Sequence, residues 1–382
     1  MKSELLYWLW LASVTELIPA KKSRLARALP DPADIYDAPP QLLREIETIT
    51  GDDVEKIRKH RDLRPVVEMA GYLQKNRISL ITMKDPDYPD ALFDLKDPPA
   101  VLFAKGNRRL IQAPVKIGVV GSRSCTPYGR GQAEKFSARF SASGVAVVSG
   151  LAAGIDASAH RGALRYHGST IAVLGCGIDQ CYPMINWELY EQIARDGLLI
   201  SEYYPGEKAL PYHFPTRNRI ISGLSDALLV IEARQKSGAL ITAGLALDQG
   251  KDVYAIPQNI TMEKGFGSNE LLKSGALLAT EPEDVLFGVC ADLRVRSGLQ
   301  VTSRDTAGIK QKHKSGNSFD PAKEKCLTDL NRRILGKIQD GADTPDKLIE
   351  AAGISIMAMN QALSELELDG FIRIEFGRIF AL

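Results

Sequence analysis

A glycine turn between an apolar run and a helix start carries the first residues suited to binding chemistry. Residues 121–129 read GSRSCTPYG and follow the apolar run KIGVV. Thr126 is a favoured N-cap type and Pro127 suits the first helical position, so the N–H groups of the helix should face the turn. Helix N-termini and arginine forks both suit phosphate oxygens. Because Arg123 replaces the small residues of a G-x-G-x-x-G turn, the segment predicts a phosphate held by a side chain, not a dinucleotide.

A second set of phosphate-binding and base-stacking types lies in the connection SEYYPGEKALPYHFPTRNR at 201–219. Arginine forks suit phosphates and aromatic faces suit bases. Together with Arg123, the connection predicts a crevice for a polynucleotide or nucleotide. The residues concerned are Arg217, Asn218 and Arg219, preceded by Tyr203, Tyr204, Tyr212 and Phe214.

Other reactive types are better explained by structure than by catalysis. Asp156 and His160 lie four residues apart at a helix start, where capping and an i,i+4 contact account for them more simply than an acid–base pair. Glu232 ends an apolar run, and its role stays open between holding an arginine and acting on a bond.

No metal site is expected. Cys176, Cys181 and His213 lack a fourth ligand, and the spacing of the two cysteines is not that of a zinc site. The five cysteines form no CxxC pair and are odd in number, which argues against a disulfide framework and indicates a reducing compartment.

The elements that position these residues are a repeating set of apolar runs separated by helix-length amphipathic stretches. Unalternated runs of Val, Ile and Leu are typical of strands buried on both faces, so they predict a doubly wound parallel sheet covered by helices. The loops after the first and fourth strands should then face each other where the strand order reverses. The runs lie near 116–120, 145–149, 170–174, 197–201, 227–232, 252–256 and 276–279.

The 382 residues divide into four predicted regions. Residues 1–75 form a small helical domain, in which LLYWLWLASV is a first helix and not a signal segment. The α/β domain spans 76–290, and 291–325 is a basic flexible linker with eight Lys and Arg against four acids. Residues 326–382 have the outline of a winged helix: a helix at 327–339, a helix start at 344–345, a turn at 353, a longer second helix at 355–370 and a final hairpin with its turn at 377. Since 344–382 hold three basic residues against six acids, we expect this domain to dock on protein in preference to reading duplex DNA.

The net charge limits the kind of nucleic-acid surface that this protein can have. The formal net charge is only +1, so a nucleic-acid surface must be a local patch.

Six segments together resemble the bacterial DNA-processing protein A family (DprA, also called Smf). They are GSRSCTPYG, SGLAAGIDASAHRGAL, IAVLGCGIDQCYP, SEYYPG, FPTRNRIISGLSDALLVIEARQKSGALITA and GSNELLKSGALL. The resemblance implies an α/β fold with an extended Rossmann-like doubly wound parallel sheet, an N-terminal helical (SAM-like) domain and a C-terminal winged helix. It further implies a cytoplasmic homodimer without cofactor, metal, membrane attachment or enzymatic activity. Such proteins bind single-stranded DNA, protect incoming strands in natural transformation and load the RecA recombinase.

Carried over by position, the resemblance assigns two groups of residues. The DNA-binding group is Gly121, Ser122, Arg123, Lys208, Arg217, Asn218 and Arg219, with Lys208 standing in for a family lysine at the place of Pro211. The dimer interface is Asn269, Leu271 and Leu278 in the last βα unit, where an exposed sheet edge invites pairing.

An enzyme of another class remains as the alternative. The lysine-decarboxylase-like phosphoribohydrolases, which cleave nucleoside monophosphates, share the GSR turn but carry PGGxGTxxE near the fifth strand. This chain has EARQKSGALITA there, without that glycine-rich loop and its glutamate.

Overall fold

The structure is a computed structural model, which describes residues 3–166, 170–296 and 328–339, with 348, 359, 362, 363, 366, 371–375 and 378–381. The chain divides into two compact units, Met1–Val301 and Thr302–Leu382. Each is described by itself.

Six helices precede the sheet, and the apolar N-terminal segment is the first of them. Trp8, Leu9 and Trp10 are almost fully buried, so this helix is part of the core. The same core also contains Phe103 and Leu199 of the sheet. None of the helices in the described ranges is both long and apolar enough to span a bilayer. The six are α1 (Ser3–Ser13), α2 (Pro19–Ala28), α3 (Pro32–Asp37), α4 (Pro40–Glu45), α5 (Gly51–Lys59) and α6 (Arg64–Lys75).

A nine-stranded sheet follows, and each of the seven predicted apolar runs forms one of its strands. The strands are β1 (Ile78–Thr82), β2 (Val101–Gly106), β3 (Lys116–Val120), β4 (Ala146–Ser149), β5 (Thr170–Leu174), β6 (Leu198–Ser201), β7 (Ala227–Val230), β8 (Asp252–Ala255) and β9 (Leu277–Leu278). Their order is β1-β2-β6-β5-β4-β3-β7-β8-β9. Strands β3 to β9 pair in parallel, while β2 joins β6 and β1 joins β2 antiparallel. The doubly wound parallel sheet is therefore confirmed.

The point of strand-order reversal differs from the prediction. It lies between β3 and β7, the first and fifth strands of the parallel set, whereas β6 lies three positions away from β3. The reversal was predicted one strand too early, because the chain adds one more strand on the first side before crossing over. The two loops that were predicted to meet do so, since residues of both line one cavity. The long β6–β7 connection makes that crossover and carries its helix back toward β3.

Helices cover both faces of the sheet. Successive side chains of a strand point to opposite faces, so each strand contacts helices on both sides. On one face Ile117 and Val119 of β3 pack with Phe136 and Phe140. On the other, Val120 packs in a cluster with residues of the crossover helix and of the helix after β7. The covering helices are α7 (Asp90–Phe93), α8 (Pro127–Ala142), α9 (Ile155–Ala163), α10 (Trp187–Asp196), α11 (His213–Leu224), α12 (Gly238–Asp248), α13 (Phe266–Lys273) and α14 (Pro282–Arg296).

The second unit shows a helix, α15 (Asp329–Gln339), and an antiparallel hairpin of β10 (Ile372–Glu375) and β11 (Arg378–Ala381). Residues of the predicted second helix, among them Met359, Leu363 and Leu366, are buried in one core with Ile334 and Ile372. The predicted helix start at 344–345 and the turns at 353 and 377 lie outside the described residues. Residues 291–296 of the predicted linker belong to α14. Residues 297–325 lie outside the described residues.

Candidate nucleic-acid interface

A cavity of about 350 Å³ opens at the carboxyl ends of β3 and β7, at the strand-order reversal. This is where open α/β sheets bind ligands. Four loops line it, at 121–124 after β3, at Ala152 after β4, at Pro211 after β6 and at 234 and 236–237 after β7, with α9, α11 and α12 completing the wall. The charged residues of the lining are Arg123, Asp156, Arg217, Arg234 and Lys236.

The Gly-Ser-Arg turn is held rigidly against its neighbours. Ser122 N–H donates to the Glu232 carbonyl at 2.7 Å, and Ser122 O accepts from Ile155 N–H at 3.2 Å. A Cβ on Gly121 would lie 2.6 Å from Ile155 Cγ1 and 2.9 Å from Glu232 O, so only glycine fits there. The fixed turn leaves the Arg123 side chain exposed at the cavity.

The carboxylate of Glu232 lies at the start of α8. Glu232, fully buried, accepts the Thr126 N–H at 3.1 and 3.0 Å and the Thr126 hydroxyl at 2.5 Å. Thr126 Oγ1 in turn caps the Gly129 N–H at 3.0 Å. The Gly129 N–H is therefore not free for a phosphate, because the Thr126 hydroxyl accepts it, and Thr126 is itself held by the Glu232 carboxylate. The question left open for Glu232 has a structural answer: it holds a threonine, not an arginine.

Two guanidinium groups lie over the Phe214 ring at the cavity. The Arg123 guanidinium carbon lies 5.0 Å from the centre of the Phe214 ring and that of Arg217 lies 5.9 Å from it. Both are within the range of cation–π attraction. The ring also lies close to the backbone at Gly175, where an added Cβ would approach Phe214 Cδ1 to 3.0 Å. The Phe214 ring thus packs against the Arg123 guanidinium group.

Arg217 is buried and engaged with backbone. Its Nη1 donates to Gly150 O at 2.9 Å and to Val173 O, and its Nε donates to Asn218 Oδ1 at 3.2 Å. Burial lowers the pKa of Arg217, and the nearby Asp156 carboxylate opposes that shift. The guanidinium therefore joins the ends of β4 and β5 beneath the cavity.

The turn after β4 is strained and fixed by four side chains. Leu151 has φ of 55°, which β-carbon-bearing residues rarely adopt. Asp156 Oδ2 accepts the Gly150 N–H at 3.2 Å, and His160 Nε2 accepts the Leu151 N–H at 3.3 Å. Asn186 Nδ2 and Arg217 Nη1 donate to the carbonyls of Leu151 and Gly150.

Asp156 and His160 therefore have structural roles, but not the predicted ones: the start of α9 has no side-chain cap, and both residues hold the turn after β4. His160 Nδ1 lies 2.7 Å from Thr170 Oγ1, whose hydroxyl donates to Val147 O. Burial lowers the pKa of His160 to about 3, and burial also raises the pKa of Asp156. A neutral imidazole that donates to Thr170 and accepts from Leu151 fits both contacts.

Residues 79–289 match the family described as DNA recombination-mediator protein A. The chain belongs to this family. Residues 320–378 match the DprA winged helix domain, in agreement with the predicted C-terminal fold.

Relatives extend the family match over the whole chain. Protein Smf of Synechocystis is 35% identical over 98% of this chain and 98% of its own length. DNA processing protein DprA of Streptococcus pneumoniae is 46% identical over 58% of this chain and 81% of its own. An X-ray structure of the pneumococcal DprA matches with a TM-score of 0.64 at 34% identity, covering 74% of this chain and 96% of that one.

A further solved relative concerns nucleic acid. The structure of DNA processing protein A from Helicobacter pylori, described as giving insight into its single-stranded DNA binding mode, matches with a TM-score of 0.51 at 31% identity. It covers 56% of this chain and 97% of that one.

The remaining residues of the family's DNA-binding group are dispersed. Asn218 lines the cavity, but Arg219 does not: its Nη2 donates to both Glu202 carboxylate oxygens at 2.8 Å in a largely buried pair. Lys208 is exposed and lies outside the cavity lining. A single helical turn cannot aim Arg217 and Arg219 at one groove, since residues two apart point to different sides of a helix.

The aromatic residues of the 201–219 connection are likewise split: two lie in the core, and two are exposed or line the cavity. Tyr203 is buried and donates to His213 O at 3.1 Å, and Tyr204 is half-buried against Phe103. These two belong to the core. Tyr212 is 63% exposed, and Phe214 lines the cavity.

Two cations of the cavity were missed by the sequence reasoning. Arg234 and Lys236 follow β7 and are exposed at the lining. Correct placement of β7 beside β3 would have singled them out.

Among the described residues, no group of three or more His, Cys, Asp or Glu side chains could hold a metal ion. Burial raises the pKa of the Cys176 thiol to about 12 and that of Cys181 to about 11. His213 Nδ1 lies 3.1 Å from Gly175 O and its ring stacks on Tyr203.

The predicted dimer residues occupy the edge of the sheet. Strand β9 is the last in the order, and Leu278 is 56% exposed there. Leu271 packs partly against the core. Asn269 exchanges hydrogen bonds with the Gln258 backbone at 2.9 and 3.0 Å, which fixes the loop before α13.

Proposed function

We propose that this protein binds single-stranded DNA in the β3–β7 cavity and, as a recombination mediator, passes the strand to the RecA recombinase in transformation. The observation that carries the proposal is the charge of the cavity. Four cations line it, Arg123, Arg217, Arg234 and Lys236, against the one carboxylate of Asp156. That carboxylate is buried on the backbone N–H groups of Gly150 and Ala152. A polyanion suits such a lining.

The cations take different parts in this proposal. Arg123, Arg234 and Lys236 are exposed and contact phosphates, whereas Arg217 holds the cavity floor. Gly121 and Ser122 shape the turn that presents Arg123, and Asn218 reaches the strand from α11. The single-stranded DNA binding described for the Helicobacter pylori relative supports the same ligand here.

The nucleotide hydrolase alternative finds less support in this geometry. The glutamate at the end of β7, Glu232, is fully buried and bonded to Thr126. It does not line the cavity, so it is not placed to act on a bound glycosidic bond.

The partners follow from other surfaces. We propose a homodimer through the β9 edge with Asn269, Leu271 and Leu278, a cytoplasmic location, and a protein-docking role for the acidic winged helix. The regions 1–75, 76–290, 291–325 and 326–382 remain proposed domain bounds. Lys208 is proposed to meet DNA only where a strand leaves the cavity.

A salt-matched comparison tests the DNA proposal. Fluorescence anisotropy with labelled single-stranded and duplex DNA of one sequence should give tighter binding to the single strand at every salt concentration. The logarithm of the binding constant should fall linearly with the logarithm of salt, by about 0.7 for each phosphate neutralised. Equal affinity for duplex, or adenine released from AMP in place of DNA binding, would refute the proposal.

A further inference from the structure

The segment 181–187, CYPMINW, presents large apolar side chains to solvent beside the cavity. Tyr182 is 48% exposed, Ile185 is 83% exposed and Trp187 is 46% exposed. The Tyr182 ring lies 5.5 Å from the Phe214 ring, tilted by 39°. An aromatic surface therefore continues from the cavity wall to the exterior.

Phe214 offers little free face of its own. Its ring lies against Gly175 on one side, and the Arg123 and Arg217 guanidinium groups lie within 5.0 and 5.9 Å of its centre. Tyr182 is the next ring outward, and nearly half of this residue is in solvent. A base seated on Tyr182 would lie one ring away from the phosphate contact of Arg123.

The segment that carries Tyr182 is held in place. Asn186 is buried and donates to Leu151 O at 3.0 Å, and the Tyr190 hydroxyl donates to Ile178 O at 2.6 Å. Trp187 stacks on Tyr190 with an interplanar angle of 16°. A ring on a fixed loop loses little conformational entropy when it receives a base.

We infer that Tyr182 is a base-stacking subsite that extends the strand-binding site beyond the cavity. The inference rests on the proposed function, since it names how that site receives the bases of a single strand. Every base has a π-face, so the subsite would be tolerant of sequence, and paired bases inside a duplex could not reach it. The continuity of Tyr182 with Phe214 and Arg123 favours nucleic acid over a protein partner for this surface.

The test uses the full-length protein and labelled oligothymidylates of about 4 to about 16 nucleotides, the range of site sizes of single-strand-binding folds. Tyr182→Ala should weaken binding about tenfold for every strand long enough to reach from Arg123 to Tyr182. Tyr182→Phe should retain the parent affinity because it keeps the ring. Trp187→Ala is the matched control, an equally exposed ring at the start of α10 that stacks on Tyr190 and not on Phe214.

A second readout locates the stacked base. With 2-aminopurine placed at successive positions of the long strand, one position should be quenched by the parent and by Tyr182→Phe but not by Tyr182→Ala. Unchanged affinity and quenching for Tyr182→Ala would overturn the inference and leave this surface to a protein partner. An equal loss in Trp187→Ala would also overturn it.

Failure of the proposed function would look different. In that case the parent protein would not prefer single strands, and Arg123→Ala would leave its binding unchanged. Parent binding that depends on Arg123 but is indifferent to Tyr182 would refute the subsite alone.

Discussion

Two arginines of the candidate site show how burial decides the role of a residue type. Arg217 is 4% exposed and donates to the carbonyls of Gly150 and Val173, so its removal would leave buried acceptors unsatisfied. Arg123 is exposed and rests on Phe214. Substitution of Arg217 should therefore unfold the cavity floor, whereas substitution of Arg123 reports on ligand binding.

Arg123→Ala should weaken single-stranded DNA binding by about ten- to a hundredfold, the value of a lost charged hydrogen bond of about 1.5–3 kcal/mol. The salt dependence should flatten by about 0.7, and the melting temperature should stay within a few degrees. Arg123→Lys should rescue only in part, because an ammonium group cannot make a two-pronged contact. Anisotropy titrations measure the affinities of both variants and the salt dependence, and thermal unfolding measures the melting temperature. The control is Arg195→Ala, which removes an exposed arginine paired with Asp196 outside the cavity; equal loss in both variants would contradict the role of Arg123.

His160 makes the stability of the protein depend on pH. Its pKa is about 3 in the fold, against 6.5 for an ordinary histidine, because burial disfavours the charged ring. Between these values the unfolded chain binds a proton that the folded chain does not, so stability falls as pH falls, by up to about 1.4 kcal/mol per pH unit. In His160→Gln this contribution is absent. Urea unfolding from about pH 7 to about pH 4 should show a shallower decline for the variant, and parallel curves would contradict the assignment.

At the scale of elements, the exposed sheet edge at β9 bears on whether the protein forms a dimer. Strand β9 has two residues, and both Leu277 and Leu278 are exposed at an edge that follows β8. An exposed apolar edge strand is a template for pairing.

Leu278→Arg should produce a monomer in multi-angle light scattering, because a charge at the centre of an apolar contact would have to be buried unpaired. Leu247→Arg is the control, since Leu247 on α12 is equally exposed, at 56%, and away from the edge. A Leu278→Arg protein that remains dimeric would show that the contact lies elsewhere. A monomer in both variants would show a nonspecific effect of the new charge.

At the scale of the whole molecule, the first compact unit contains every residue of the cavity. Helix α14 belongs to this unit through Val285, Leu286 and Val289, which are buried in its core. Because α14 runs to Arg296, a truncation that keeps the whole helix ends there and not at 290, where the predicted α/β domain stops.

The chain ending at Arg296 should retain most of its affinity for single-stranded DNA. Removal of 297–382 takes away basic residues such as Lys310, Lys312 and Lys314, so only a salt-sensitive, nonspecific share should be lost. The measurement is anisotropy against the full chain at two salt concentrations. Loss of binding at both would place strand recognition in the C-terminal part and contradict the cavity proposal.

Much of this architecture could be predicted from local pattern. The runs of Val, Ile and Leu located every parallel strand because a strand covered on both faces must be apolar throughout. Gly121 and Thr126 were placed at a turn and at a helix start, and both are found there. The family was recognisable from segments such as GSRSCTPYG, which are long enough to be specific.

The strand order and the direction of individual side chains were decided only in three dimensions. Nothing local in LLIS at 198–201 shows that β6 lies far from β7, because pairing depends on contacts between strands distant in sequence. The same holds for Arg219 and for Glu232, whose partners Glu202 and Thr126 are brought to them by the fold. The sequence by itself determined which residue types the site contains, since helix, strand and turn preferences are local properties. The tertiary structure decided which of them face the cavity, since burial and pairing arise only when the sheet has assembled.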